Sequence, residues 1–371
     1  MSPRAMRNRR GACGKAPGGQ CLTRWDAGNQ SRVTLPSTTV EPALPQAVGP
    51  LSATILDLLH RGRPALQFWL TDVPVCEADP YALDPQLALY VCYELHYRGF
   101  AGVNPRWEWN PALLQVRARL EDAFLSAVRH DVGDIGPGAT AATEMDALSV
   151  ELIDGEGPSY FLRDKGSWEQ MREYFVHRSL YHLKEGDPHA WAIPRLTGQA
   201  KASFVAVEFD EFGGGRGERV HQHLFAELMD AAGLDSTYLG YLDDVPAPAL
   251  ASVNLMSMFG LHRDLRGAAM GHFASTEITS SPGSRRLMEA LERMGAPEPC
   301  VAFYREHVEA DAVHEQVVRT DVVGDLVARE PQLDRDVVFG IRARDVVEDR
   351  LAAHLMECWT QDRSALRRPL A

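Results

Sequence analysis

Apolar residues recur at helical spacing along most of the chain, and few runs alternate strictly between apolar and polar residues. Spacing of i, i+3, i+4 and i+7 is typical of amphipathic helices, whereas strict alternation is typical of half-buried strands. The pattern predicts helices over residues 51–61, 85–97, 111–128, 167–184, 199–212, 219–232, 249–258, 261–281, 283–294, 302–327 and 343–360. The sequence therefore predicts an all-α protein in which residues 140–163 stay unassigned.

The first 50 residues differ from the rest of the chain. They hold seven arginines and lysines against two acids, Asp26 and Glu41, and are rich in Gly, Ser, Thr and Pro. Such a composition cannot bury a core and predicts a disordered basic tail over residues 1–50. A translation start assigned too far upstream is the alternative. We expect an N-terminal helical extension over residues 51–135 and the main helical domain over residues 136–371.

Composition narrows the class of protein. The 371 residues are 45% hydrophobic and carry a formal net charge of −13, which argues against a nucleic-acid-binding role. No apolar run approaches the length of about 20 residues that spans a bilayer, so no membrane role is expected. The six cysteines lack C-x-x-C spacing, which favours a reducing, cytoplasmic location over a disulfide framework or a zinc ribbon.

The segment 306–315, E-H-V-E-A-D-A-V-H-E, is the strongest chemical signal. On a helix, His307, Asp311 and His314 fall within about 60° of one another. Two imidazoles and a carboxylate on one stripe suit Fe, Mn or Zn. The alternative is a solvated helix face, because the neighbouring glutamates are also polar. A zincin motif is excluded, since it needs a histidine where the chain has Val318.

A second segment runs from Glu208 to His221 through the glycine-rich stretch 213–217. It predicts one helix that ends at Glu211, a break at the glycines, and a new helix that begins near His221. Glu218 and His221 form an E-x-x-H pair, a spacing that di-iron bundles use. The spacing leaves Glu211 and Glu218 as alternative partners of His221.

Glu185, in the segment E-G-D-P-H, follows a predicted helix rich in aromatic residues and histidine. It is either a metal ligand or a solvated residue of the last helical turn, and Glu173 is a nearby alternative. Glu277 stays open, as a cavity-lining residue or a satisfied polar group of the core.

Together these segments resemble a known family. Glu211 and His221, followed at a distance by His307, Asp311 and His314, are similar to the heme-oxygenase-like di-iron oxidases and oxygenases, often described as iron-containing redox enzymes. The stretches 188–196, 210–216, 258–262 and 307–315 look like one bacterial branch of it. The resemblance covers residues 167–327 and, less specifically, 86–109. It favours Glu211 over Glu218 and adds Glu185, which lies 26 residues before Glu211.

The resemblance implies a heme-oxygenase-like bundle of about seven core helices with a cofactor between them. It also implies two non-heme irons, held by Glu185, Glu211, His221, His307, Asp311 and His314, with O₂ as co-substrate. A small organic substrate would undergo N-oxygenation, desaturation, oxidative decarboxylation or C–C cleavage. The electrons would come from an external donor, because the chain has no flavin, nicotinamide or Fe–S motif.

Two other hypotheses belong to different functional classes. One is a metal-free protein of the same fold, which would need a nucleophilic cysteine or a different pocket. The other is an interaction protein in which iron is structural. The helices over residues 51–135 are expected to pack on the core or to form a homodimer.

Overall fold

The computed structural model describes residues 41–61 and 78–370, and within these ranges all regular secondary structure is helical. The all-α prediction is confirmed. The α-helices, in chain order, are α1 Pro50–His60, α2 Leu83–Glu94, α3 Pro111–Val132, α4 Ala141–Leu148, α5 Pro158–Asp164, α6 Trp168–His182, α7 Asp187–Ala190, α8 Gly198–Glu211, α9 His221–Ala231, α10 Ala247–Leu261, α11 Arg266–Met294, α12 Glu298–Val317, α13 Asp325–Arg329 and α14 Asp334–Trp359. A π-helix, Val318–Gly324, joins α12 to α13.

Local sequence signals explain where several helices begin. The Asn110 side chain accepts hydrogen bonds from the first backbone N–H groups of α3, and Pro111 occupies a position whose N–H would lack a partner. Ser167 and Gln170 form a reciprocal capping box at the start of α6. These caps satisfy donors that the helix itself cannot satisfy.

The long helix α11 lies at the centre of the packing, with α12 and α14 against it. The crossing of α11 and α14 depends on two glycines, because their backbones touch there. A Cβ at Gly271 would lie 2.0 Å from the carbonyl oxygen of Val337, and one at Gly340 would lie 2.0 Å from that of Ala268. This close approach fixes α11 in the core, and α12, which carries His307, Asp311 and His314, packs on α11.

Two helix predictions need correction at Pro282. The chain forms one helix of 29 residues, Arg266–Met294, where the sequence predicted helices 261–281 and 283–294. A proline inside a helix removes one hydrogen bond and crowds the preceding turn. Here Ile278 and Leu287 are buried on either side of Pro282, and this tertiary packing outweighs the local penalty.

Other helix boundaries also differ from the prediction. The predicted helix 302–327 is divided into α12, the π-helix and α13, and α14 begins at Asp334 rather than at residue 343. The unassigned stretch 140–163 contains α4 and most of α5. A helix whose first turn is polar, as α14 is at Asp334 and Asp336, shows no apolar periodicity where it begins, so its start is predicted too late.

The helices of the predicted extension pack on those of the predicted main domain. Asn254 of α10 donates two hydrogen bonds of 2.8 Å to Gln86 of α2. Pro42 precedes α1, and its carbonyl oxygen accepts a hydrogen bond of 2.8 Å from the backbone N–H of Ala101. The boundaries predicted at residues 50 and 135 stay predictions, and residues 1–40 of the predicted tail lie outside the described residues.

No helix in the described part of the chain is long and apolar enough to cross a bilayer. Cys92, Cys300 and Cys358 are buried free thiols, and the other three cysteines lie outside the described ranges.

Candidate metal centre

One face of α12 carries a buried stripe of imidazoles and a carboxylate. His307, Asp311 and His314 are 5%, 2% and 3% exposed, whereas Val313 on the same helix is 63% exposed. Asp311 Oδ1 lies 3.3 Å from His314 Nδ1. The predicted stripe is therefore an interior face, and the alternative of a solvated face is wrong for these three residues.

The turn between α8 and α9 brings a second carboxylate and a third imidazole together. Glu211 ends α8 and His221 begins α9, as the sequence predicts. Gly213 has a φ of +69°, and a Cβ there would lie 2.6 Å from the backbone nitrogen of Val220. Only glycine fits so tight a turn. It leaves Glu211 Oε2 2.8 Å from His221 Nδ1.

Glu185 lies in the turn that follows α6 and is 4% exposed. The next residue, Gly186, has a φ of +85°, and a Cβ there would lie 3.1 Å from Cζ of Phe212. The turn can therefore pack closely on the end of α8. His182 Nδ1 lies 2.8 Å from Glu185 Oε1, while Glu185 Oε2 faces α12, at 3.8 Å from His307 Nε2.

The six residues form two adjacent clusters of three. In each cluster the donor atoms, one from each residue, lie within 4.8 Å of one another. The first cluster contains Glu185, His221 and His307, and the second contains Glu211, Asp311 and His314. The His221 and His307 ring centroids are 4.5 Å apart, and the short Glu211–His221 distance joins the two clusters. The structure thus brings together all six residues that the resemblance implied.

Several donor atoms in these clusters are buried without a hydrogen-bond partner. They are Glu185 Oε2, His307 Nε2 and Asp311 Oδ2. Buried polar atoms nearly always have a hydrogen-bond partner, so a group of buried atoms without one indicates that they bind another group. Carboxylate oxygens and imidazole nitrogens can bind the same metal ion, and this combination of ligands suits a transition metal. The residues present therefore fit a metal.

A backbone contact orients His307 for that role. Its Nδ1 lies 2.8 Å from the carbonyl oxygen of Phe303. A carbonyl only accepts, so Nδ1 carries the proton and donates it. The ring is thereby fixed with Nε2 towards the first cluster, the arrangement typical of a metal-bound imidazole.

When no metal is bound, protons on the imidazole rings offset the negative charge of the carboxylates. Burial lowers the pKa of His307, but the neighbouring carboxylate of Glu185 outweighs this effect and raises the pKa to about 10. Burial likewise lowers the pKa of His314, but the hydrogen bonds that its ring donates to Asp311 and Glu277 raise it to about 11. A metal would displace protons from these rings.

Two further buried carboxylates border the site, and the sequence did not assign either a role. Glu277 of α11 places Oε2 3.2 Å from His314 Nδ1, and burial, with the charge of Asp311, raises its pKa to about 8. Glu208 of α8 is 2% exposed, and neither of its oxygens has a hydrogen-bond partner. Burial and then the charge of Glu211 raise the Glu208 pKa well above its usual range. The i, i+3 spacing of Glu208 and Glu211 was the available signal.

The alternative glutamates lie elsewhere. Glu218 is exposed in the turn between α8 and α9. Glu173 is buried, but it accepts hydrogen bonds from Trp359 Nε1 at 2.8 Å and from the Ala365 backbone at 3.0 Å. Neither belongs to the clusters.

A surface pocket of about 310 Å³ reaches His221. Its lining residues are Asp210, Gly213, Gly214, Arg219, His221, Glu306 and Ala310. At its rim, Arg219 and Glu306 form an ion pair of 2.7 Å. The pocket links solvent to the first cluster.

Comparison with known proteins gives an independent result. Residues 172–349 match the family described as iron-containing redox enzyme. That range includes all six residues of the two clusters, so both buried carboxylate–imidazole clusters that could bind metals lie within the residues that match an iron-containing family. The chain is also similar to the nitrosourea synthase of Streptomyces achromogenes subsp. streptozoticus, at 24% identity over 160 residues. Those residues are 43% of this chain and 34% of the relative, so the match spans about a third of the relative's length.

Proposed function

Because residues 172–349 belong to the family of iron-containing redox enzymes, we propose that this protein is an O₂-dependent non-heme di-iron oxidase or oxygenase. One observation supports this most directly. Two buried carboxylate–imidazole clusters adjoin each other, and several of their donor atoms lack any other partner. The six residues form two separate groups of three, which fits two metals better than one.

Each cluster would hold one iron. Glu185, His221 and His307 would bind the first, and Glu211, Asp311 and His314 the second. The three carboxylates would not fully neutralise two divalent irons, so the site would keep a net positive charge. With three protein ligands each, both irons would have open coordination positions. When bound, the ferrous pair supplies the electrons and the open positions for reaction with O₂.

The protein's own residues prepare this chemistry. Phe303 and His182 fix the orientations of His307 and Glu185 through hydrogen bonds of 2.8 Å. Burial of the six residues excludes bulk water, which strengthens electrostatic interactions within the site. Glu208, with its raised pKa, holds a proton on a buried carboxyl group beside Glu211. The pocket at His221 offers a small substrate a route from solvent.

Nitrogen oxidation is the first reaction to assay. The name of the similar nitrosourea synthase concerns a nitrogen compound, and the site would suit oxidation at nitrogen or at carbon. Desaturation, oxidative decarboxylation and C–C cleavage are the other reactions of this class. An external donor would return electrons to the irons.

The test is anaerobic Fe(II) loading of the full chain, with iron counted per chain, followed by exposure to O₂. We expect two irons per chain, O₂ consumption and a transient visible absorption band. His307→Ala and His314→Ala alter different clusters, so each should lower the iron count to about one. His130→Ala, an exposed residue near the end of α3, is the control and should keep both irons.

Three results would contradict the proposal. They are no iron uptake by the wild-type protein, unchanged uptake by both cluster variants, or bound Fe(II) that is inert to O₂. The last would favour a structural role for iron.

A further inference from the structure

The first cluster includes Glu185, which lies in a turn that is supported by side chains from other elements. Glu185 lies beyond the last residue of α6, His182, where backbone carbonyls lack helical partners. Side chains from other elements supply some of the missing donors. The Arg98 guanidinium donates to the carbonyl of Leu183 at 3.2 Å, and the Gln222 side chain donates to the carbonyl of Glu185 at 3.0 Å.

Gln222 joins the turn directly to the next metal-binding element. It follows His221 at the start of α9, so it is the immediate neighbour of a second cluster residue. Its Nε2 also donates to Asp187 Oδ1 at 3.2 Å, and its Oε1 accepts from Arg98 at 2.6 Å. Arg98 and Gln222 therefore connect the backbone of Glu185 to that of His221.

A buried ion-pair network holds Arg98. Its guanidinium lies 4.1 Å from the centroid of the Tyr238 ring, and its backbone N–H donates to Glu94 at 3.3 Å. Glu94 also pairs with Lys184 at 3.1 Å and accepts from the Tyr238 hydroxyl. Glu94 and Lys184 are 0% and 1% exposed. Breaking a buried pair is costly, so this network holds the backbone and the ring contact of Arg98 in place, although Arg98 itself is exposed.

We propose that Arg98 and Gln222 are positioning residues, which set the spacing of Glu185 and His221 and thereby the metal affinity of the first cluster. The inference rests on the proposed function. Glu185, His221 and His307 come from three separate elements, so their spacing depends on contacts between elements. Groups that orient metal ligands from behind typically change metal affinity 10- to 100-fold when they are lost. The helices before residue 135 would then contribute to the metal site itself.

The experiment is an anaerobic calorimetric titration of the full-length protein with Fe(II), in the wild type and in Gln222→Ala and Arg98→Ala. We expect one of the two iron sites to weaken about 10- to 100-fold while the other keeps its affinity. A loss confined to one site separates positioning from general loosening of the fold, which would weaken both. His223→Ala is the matched control, because His223 is the next residue of α9 and pairs at the surface with Glu227.

Milder variants keep the test decisive if an alanine variant fails to fold. Gln222→Asn keeps the amide but shortens the side chain, and Arg98→Lys keeps the charge but loses the planar guanidinium whose Nη2 donates to both acceptors. Both should weaken the same site to a smaller extent.

The two proposals fail in different ways. A wild-type protein that binds fewer than two irons would refute the di-iron function. A wild-type protein with two sites, and variants that either keep both affinities or lose both sites equally, would refute the positioning role alone.

Discussion

Glu208 is a buried carboxyl group with no hydrogen-bond partner for either oxygen. Burial is the largest cause of its raised pKa, and the charges of Glu211 and Glu277 add to it. Without metal, it therefore keeps its proton to a higher pH in the folded protein than in the unfolded chain. Its contribution to stability is complete below the ordinary glutamate pKa and is lost as the pH rises through the folded-state value.

This linkage predicts the effect of Glu208→Gln on the metal-free protein. An amide cannot ionise, so we expect the variant to be more stable than the wild type at pH 8, with a Tm higher by about 2 °C or more. The difference should shrink as the pH falls towards 4.5, where the unfolded chain also holds the proton. Thermal unfolding in the presence of a chelator measures it.

Glu218→Gln is the control, because Glu218 is exposed in the turn that follows α8. Its Tm should match that of the wild type at every pH. A Glu208→Gln variant that is less stable at pH 8 would contradict the assignment of a proton to this carboxyl group.

Residue types and spacings grouped the three cluster residues of α12 for a physical reason, whereas Glu185 and the choice of Glu211 came from the family resemblance. Residues at i, i+4 and i+7 on α12 share one face whatever packs on it, so His307, Asp311 and His314 could be grouped from the sequence. Glu208 and Glu277 were not assigned to the site because burial beside other charged groups is a property of the surroundings. No local pattern reports it.

Among the helices, α11 and α14 cross so closely that their backbones touch at two glycines. α11 carries Glu277 and packs on α12, and its backbone touches α14 at Gly271 and Gly340. Helices that approach this closely have no space for a side chain between them. The crossing therefore sets the position of α12 relative to the core.

We expect Gly271→Ala to destabilise the protein by about 1–3 kcal/mol or more, the usual cost of overpacking. The added Cβ would lie 2.0 Å from the Val337 carbonyl oxygen, so the helices would have to separate. Urea unfolding of the metal-free protein measures the change. Gly283→Ala is a control on the same helix, since a Cβ there would meet only the far end of Arg286 at 3.9 Å.

The control should be neutral or stabilising by up to about 1 kcal/mol, because alanine favours helices over glycine. Equal stabilities of the two variants would show that the crossing tolerates separation.

The existence of most helices was predictable, with α4 and α5 as exceptions, and helix boundaries were much less so. Periodicity located α3, α6, α8 and α9 closely, because their buried faces are apolar and their ends carry caps or glycines. It divided α11 at Pro282 and started α14 too late, since local penalties and polar turns are overridden by long-range packing.

At the scale of the whole molecule, the two clusters gather residues from the turn after α6 and from α8, α9 and α12. A metal bound there would link these elements and stabilise the folded state, since it binds the folded chain and not the unfolded one. The described residues from Glu41 onward form one compact unit, so the link reaches much of the core. A homodimer stays a prediction.

Protonation sets how strongly this stabilisation depends on pH. The pKa values of His307 and His314, about 10 and 11, mean that both rings hold protons at neutral pH. Metal must displace them, so affinity should rise about tenfold per pH unit for each proton released. We expect anaerobic Mn(II) to raise the Tm more at pH 8 than at pH 6.

The Tm shift should fall strongly in the His307→Ala, His314→Ala double variant, and it should persist in His130→Ala. A shift independent of pH would mean that the imidazoles are already unprotonated in the metal-free protein.

The helical class, the α12 stripe and the glycine turn between Glu211 and His221 could all be predicted from the sequence, because they follow from interactions between residues close along the chain. Only the tertiary structure decided that Glu185 faces α12, that Glu173 and Glu218 lie elsewhere, and that Arg98 and Gln222 support the turn. Arg98 and Gln222 lie 124 residues apart and Glu185 and His307 lie 122 apart. Contacts over such distances depend on how helices pack, which no spacing along the chain specifies.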